Sequence, residues 1–123
     1  MPYSAIAKNY MLDQLASQAT YASLHTSSPG STGANEVTGG TPAYARKALT
    51  WDAASGGSMS LHSGSTPTFD VPAATTITHV GIWSAATAGT YYGYVDVTDE
   101  TFAAQGTYQI TSGTFDLNAT TSA

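Results

Sequence analysis

Apolar residues recur at three- and four-residue intervals from position 4 to 19, and after Thr20 the interval shortens to two. The first pattern predicts a helix over 4–19. Ser4 can cap it, and neither Gly nor Pro interrupts it. Ile6, Tyr10 and Leu15, with Ala7, Met11 and Ala19 beside them, are expected on one broad face. Lys8, Asn9, Asp13, Gln14 and Ser17 fill the other. Such a face can pack on the chain's own sheet or dock against another subunit.

The two-residue pattern predicts short strands. Tyr21–Thr26 sets Ala22, Leu24 and Thr26 against Tyr21, Ser23 and His25. Tyr44–Ala54 places Ala45, Lys47, Leu49, Trp51 and Ala53 on one side, and Ser58–Ser63 pairs Met59 with Leu61. Thr68–Val71, bounded by Pro67 and Pro72, reads as an edge strand. Thr75–Ser84 is the strongest strand, with Thr76, Thr78, Val80 and Ile82 opposed to Ile77, His79, Gly81 and Trp83. In Thr90–Val97, Tyr91, Gly93, Val95 and Val97 alternate with Tyr92, Tyr94 and Asp96. A loop from Asp99 to Gly106 is expected to hold a turn of helix at Glu100–Ala104. A last hairpin, Thr107–Ser112 and Thr114–Ala119, turns at Ser112-Gly113.

Together these give a mainly β fold: an antiparallel β-sandwich or jelly-roll-like domain of about eight strands with one N-terminal α-helix. The expected organisation is a single domain over 1–123, with the helix at about 4–19 and strands from about 20 to 119. Between the first two strands lies a long turn-rich loop, Ser27–Pro42. It carries Pro29, Gly30, Gly33, Asn35, Gly39, Gly40 and Pro42. A loop so specified is expected to be functional or an ordered surface element.

Composition narrows the partners. Charged residues are 9% of the chain, far below the roughly 25% of an average domain, so the surface is mostly Thr, Ser, Gly, Asn, Gln and Tyr. Lys8, Arg46 and Lys47 are the only Lys and Arg residues, against eight acids and a net charge of -5. That leaves no basic patch for a phosphate backbone, and nucleic acid is excluded as an expected partner. No apolar run approaches the ~18 residues that span a bilayer, so no membrane partner is expected. The N-terminus shows no signal-peptide pattern. A neutral polar surface without an export signal suits a virion component assembled in the host cytoplasm and released by lysis.

No catalytic constellation is legible. His25, His62 and His79 lack metal-ligand spacing, and no nucleophile elbow or phosphate loop is present. His25 and His79 read as structural histidines within strands. Asp96, Asp99 and Glu100 do not match a calcium-loop spacing and read as a solvated turn that discourages stray edge pairing. Expected catalytic residues, metal ligands and cofactors are therefore none. Tyr92 and Tyr94, expected on one strand face, are candidates for an exposed aromatic contact.

The stretches AKNYMLDQLA, SLHTSSPGSTGANEV, PAYARKALTW, FDVPAATTITHVGIWSAATAGTYYG and DVTDETFAAQGTY together cover most of the chain. In them the chain resembles small proteins of tailed bacteriophages, particularly those of actinobacteria, described as tail-fibre-like, minor tail or virion structural proteins. The resemblance implies a non-enzymatic virion subunit acting by protein–protein contact, either in the tail or as a decoration of the capsid surface. Its expected partners are other virion proteins, tail or major capsid, and further copies of itself, with a trimer as the expected order. Candidate docking residues are Ile6, Tyr10 and Leu15 on the helix, Pro29 and Asn35 in the loop, and Arg46 and Lys47 beside it, facing an acidic neighbour. The competing expectation is a carbohydrate-binding module for host-surface glycans, built on Tyr92, Tyr94 and Trp83.

Overall fold

The computed structural model describes residues 4–56, Leu61 and 66–110. Helix α1 runs Ala5–Gln18, and the Ser4 Oγ caps it by accepting from the Ala7 N–H at 3.2 Å. The face that packs is narrower than expected. Leu12 and Ala19 are buried, with Leu15 and Ala16 half-buried between them, all at three- and four-residue spacing. Ile6 and Tyr10 lie on the other side of the helix from Leu12, at about 3.6 residues per turn. They are 73% and 77% exposed. The helix therefore carries two apolar stripes, and the described chain covers one. Its C-terminal half is fastened by two bonds: the Trp51 Nε1–H donates to Ala19 O, and the Ala54 N–H donates to Asp13 Oδ1, both at 2.7 Å.

Six strands follow among the described residues: β1 (Tyr21–His25), β2 (Lys47–Ala48), β3 (Thr68–Val71), β4 (Thr75–Trp83), β5 (Tyr91–Phe102) and β6 (Gly106–Gln109). They form two antiparallel sheets, ordered β2-β1-β4-β5 and β3-β6. The result is mainly β with one N-terminal helix, but it is a four-plus-two arrangement rather than a clear eight-strand sandwich. The Tyr44–Ala54 strand shrinks to β2 because the edge of β1 beyond Ala22 is already occupied. There the Val37 N–H donates to Leu24 O, and the Leu24 N–H donates to the Tyr44 hydroxyl, both at 3.0 Å. Trp51 pairs separately, in a bridge with Leu61. The helical turn expected at Glu100–Ala104 does not form. Instead β5 continues to Phe102, with Glu100 opposite Ile77 and Phe102 opposite Thr75, so the acidic cluster lies on a strand. Most of the Ser58–Ser63 strand, His62 and the Ser112-Gly113 hairpin turn fall outside the described residues.

Two irregularities in the β4–β5 ladder redistribute the side chains. The first, between Ile77 and His79, breaks strict alternation, so Ile77 joins Val80 in the core rather than His79 on the opposite face. The second sets Trp83 opposite Tyr91 but Ile82 opposite Gly93, which makes Tyr92 the inserted residue. Tyr94 stands opposite Gly81 and so shares the His79–Trp83 face with Tyr91. Tyr92 and Tyr94 are both exposed, and the extra residue interrupts the strict alternation expected to set them on one face.

The core lies between the two sheets. Ala22 and Leu24 from β1, Ile77 and Val80 from β4, and Phe69 and Val71 from β3 are fully buried, with Val37, Leu49, Leu61 and Ile110 around them. Tyr44 stacks on Phe69 with ring centroids 6.4 Å apart. Alternation on β1 sends Ala22 and Leu24 into this core and turns Ser23 and His25 to the other face. That face is covered too.

Candidate functional site

The covering element is the long loop, held on the second face of the sheet by a polar chain. Ser23 and His25 are completely buried. The Trp83 Nε1–H donates to Ser23 Oγ at 2.8 Å, and Ser23 Oγ lies 2.6 Å from His25 Nε2. His25 Nδ1 lies 2.8 Å from Ala34 O in the loop. A carbonyl only accepts, so Nδ1 carries the proton and Nε2 accepts from the Ser23 hydroxyl. Burial pushes the His25 pKa below its ordinary value, outweighing the Ala34 bond and the Glu36 charge, and the ring is neutral near pH 7. Two glycines make room for this packing. A Cβ on Gly81 would stand 2.5 Å from Ser23 Oγ, and one on Gly33 would stand 2.5 Å from the Trp83 ring, where φ is also +78°. Serine and histidine at this distance have the spacing of a nucleophile and its base. With both sealed and the far ring nitrogen on a backbone carbonyl, their role as folded is to fasten the loop.

Arg46 forms the second fastening. Its Nε–H and one Nη2–H donate to the two carboxylate oxygens of Glu36, each at 2.9 Å. Nη1 donates to Ala85 O at 3.2 Å and Ala88 O at 2.8 Å, while the guanidinium carbon lies 3.6 Å from the Trp83 ring centroid. The Tyr44 hydroxyl donates to Glu36 Oε2 at 2.8 Å. Burial alone would raise the Glu36 carboxyl, but the bonds from Arg46 and Tyr44 and the nearby charge outweigh it and hold the pKa low. Burial pushes the Tyr44 phenol far up, so it stays protonated as a donor. One guanidinium thus joins the loop to the turn between β4 and β5. Between these walls opens a groove of about 360 Å³, lined by residues 36–39, 44–46 and 86–88.

The structure places the expected contact residues unevenly. Ile6 and Tyr10 are open, and Leu15 is half-buried on the packed side. Pro29 is buried and accepts from the Gly33 and Ala34 N–H groups. Asn35 takes a left-handed conformation, φ +64°, and its amide donates to Ser28 O. Arg46 has a side chain 9% exposed and is committed to Glu36. Lys47 sits on β2, opposite Ala22. Tyr92 and Tyr94 are exposed, but Tyr94 meets the His79 ring edge-on at 5.4 Å, and Trp83 lies under Arg46 and Gly33. The aromatic platform of Tyr92, Tyr94 and Trp83 is therefore not assembled. His79 Nε2 lies 3.9 Å from Asp96 Oδ2. Among the described residues, no group of three or more His, Cys, Asp or Glu could hold a metal ion.

With the fold and its clasped loop in view, comparison with known proteins gives one positive result. Residues 3–118 match the family model described as podophage GP4 fiber I protein gp80. The chain belongs to this family. No curated protein and no solved structure matches the chain. This fibre protein is therefore a phage tail fibre structural protein and a virion component, and membership of a structural family implies a non-enzymatic role. The match is to a podophage fibre and gives no support to the narrower actinobacteriophage grouping. Among the described residues, no helix of the fibre protein is long and apolar enough to cross a membrane.

Sequence reasoning passed over Ser23, Glu36, Tyr44 and Gln105 of the fibre protein. The Gln105 side chain accepts from the Thr41 N–H at 3.2 Å and donates to Pro42 O at 3.3 Å, a third fastening of the loop. One signal was available. Glu36 is the sole acid between Asp13 and Asp52, and Arg46 is one of three cations, so a pair between them would relieve two otherwise isolated charges.

Proposed function

We propose that the protein is a small accessory subunit of the tail fibre, works as a homo-oligomer, and docks through the outward face of α1. Ile6 and Tyr10 carry this reading: two large apolar side chains about three-quarters exposed on a helix already packed along its other side. Exposed apolar groups one turn apart supply contact area that a neighbouring copy or another tail protein can bury. Few Lys, Arg or Glu side chains would need ordering on such a surface, which lowers the association cost. Trimer is the oligomer we infer, and the tail is preferred over capsid decoration because the family is a fibre family.

The test is the double variant Ile6→Glu/Tyr10→Glu. Its far-ultraviolet circular dichroism should be unchanged, while its mass by light scattering should fall from trimer to monomer and its incorporation into particles should drop. A wild-type chain that is monomeric, or a variant that assembles normally, would overturn the docking role. Labelled protein found on the capsid surface of purified particles would overturn the tail position.

A further inference from the structure

The turn-rich loop divides into two parts fastened by different chemistry. Residues 27–34 form a closed strap whose ends meet where the Thr26 N–H donates to Asn35 O at 3.1 Å and His25 bridges Glu36. Its shape is kept by bonds from the Gly33 and Ala34 N–H groups to Pro29 O and from the Asn35 amide to Ser28 O. The strap meets the sheet through His25 Nδ1 at Ala34 O, the Tyr91 hydroxyl at Gly30 O (3.1 Å), and Gly33 against the Trp83 ring. Residues 36–46 are held instead by the Arg46–Glu36 fork and by Gln105.

We propose that His25 is an acid-released latch: its protonation lifts the 27–34 strap off the sheet while the 36–46 segment stays in place. The device goes beyond the docking role of α1 and does not rest on it. Its effect is to uncover Ser23, His25 and Trp83, a surface sealed at neutral pH.

The geometry leaves a protonated ring poorly partnered. Nδ1 already donates to Ala34 O, so a second proton goes on Nε2, 2.6 Å from Ser23 Oγ. The Ser23 hydroxyl, which also receives the Trp83 N–H, then loses the acceptor for its own hydrogen. Gly81 packs close by, and an added Cβ there would stand 2.7 Å from Nε2. The surrounding charges do not compensate. Glu36 favours a charged ring, but both its carboxylate oxygens are bound by Arg46, and the Arg46 and His79 charges oppose it. Asp96 lies beyond His79, 3.9 Å from its Nε2, with a side chain 79% exposed. Burial keeps the Tyr44 and Tyr91 phenols protonated.

Lifting the strap brings water to the ring. Burial holds the covered ring below its ordinary 6.5, outweighing the Ala34 bond and the Glu36 charge, and an uncovered ring returns toward that value. Between the two values the covered form binds fewer protons, so each falling pH unit favours the open strap by about tenfold. The fork persists over this interval, because Glu36 is held below its ordinary 4.5 and stays ionised.

The experiment follows the full isotope-labelled chain by NMR from about pH 7.5 to about pH 5, across the histidine range. The Gly33 Hα signals, displaced by the Trp83 ring, should move toward unstructured positions. Exchange of the Trp83 indole N–H, corrected for its intrinsic rate, should rise about tenfold per pH unit. The Trp51 indole N–H and the Val37 and Tyr44 amides, bonded to Ala19, Leu24 and Gly39 carbonyls, should stay protected. Both changes should track the ring titration of His25 and not that of His79. His25→Gln should abolish the pH dependence, and His79→Gln should keep it. If His25→Gln does not fold, coincidence with the His25 titration in the wild-type chain decides. Gly33 signals unchanged to about pH 5, opening of 36–46 together with the strap, or a transition that follows His79 or survives in His25→Gln would overturn the proposal.

Discussion

Protonation of His25 removes the acceptor of the Ser23 hydroxyl and leaves a cation in a fully buried setting. The folded pKa lies below the ordinary value of 6.5, so the folded chain binds fewer protons than the unfolded chain across that interval. The stability due to neutral His25 is complete above 6.5 and is lost as pH falls through the lowered value. Glu36 behaves alike at more acidic pH: its contribution is present above its ordinary 4.5 and lost as pH falls through its depressed value. Urea midpoints should therefore decline from neutral pH downward, first over the histidine range. A flat profile between neutrality and about pH 5 would contradict this assignment. Ser23→Ala strips the partner from both the Trp83 N–H and His25 Nε2 and should cost about 1–3 kcal/mol in chemical denaturation. Arg46→Ala leaves Glu36, itself 21% exposed, without its fork and unties the β4–β5 turn; a loss on the order of 2 kcal/mol is expected by the same measurement.

At the scale of elements, α1 is where packing and exposure separate most clearly. Leu12→Ala removes the one buried side chain of α1 and should cost about 2–4 kcal/mol. Ile6→Ala, at an open position, should stay within about 0.5 kcal/mol while changing association. Equal thermal shifts for the two variants would show that the packed stripe has been misassigned. The β3–β6 pair depends on Phe69, which is fully buried and stacked against Tyr44. Phe69→Ala should cost about 3–5 kcal/mol and is expected to loosen the loop as well, since Tyr44 also bonds Glu36 and the β1 backbone.

For the whole molecule, the distribution of fastening predicts an order of opening. β4 is paired on both edges, by β1 and β5, and supplies buried side chains to both faces of its sheet. The helix meets the described remainder through one buried stripe and the bonds at Ala19 and Asp13. Hydrogen exchange should be slowest in β1 and β4, intermediate in the loop segment 29–37, and fastest in the N-terminal turns of α1. Protection of those turns that appears only at high protein concentration would mark association through the outward stripe.

Local chemistry alone determined much of this protein. A polar cap and an unbroken run of helix-forming residues set α1. Prolines at 67 and 72 bounded β3, and the β-branched run of β4 set the strongest strand. The near absence of basic residues argued against a nucleic-acid partner, and the stretches that resemble phage virion proteins over most of the chain pointed to a structural phage subunit. The tertiary structure decided the rest, because those features depend on neighbours distant in sequence. Two register shifts interrupted the alternation of β4 and β5, one setting Ile77 beside Val80 in the core and the other inserting Tyr92, and no periodicity within one strand can register a partner's extra residue. The Tyr44–Ala54 strand gave way to two residues because Val37 and Tyr44 had already taken the edge of β1. Arg46, expected to face a partner, turned inward because Glu36, Trp83 and two carbonyls from the β4–β5 turn converge on it only after the loop folds across the sheet.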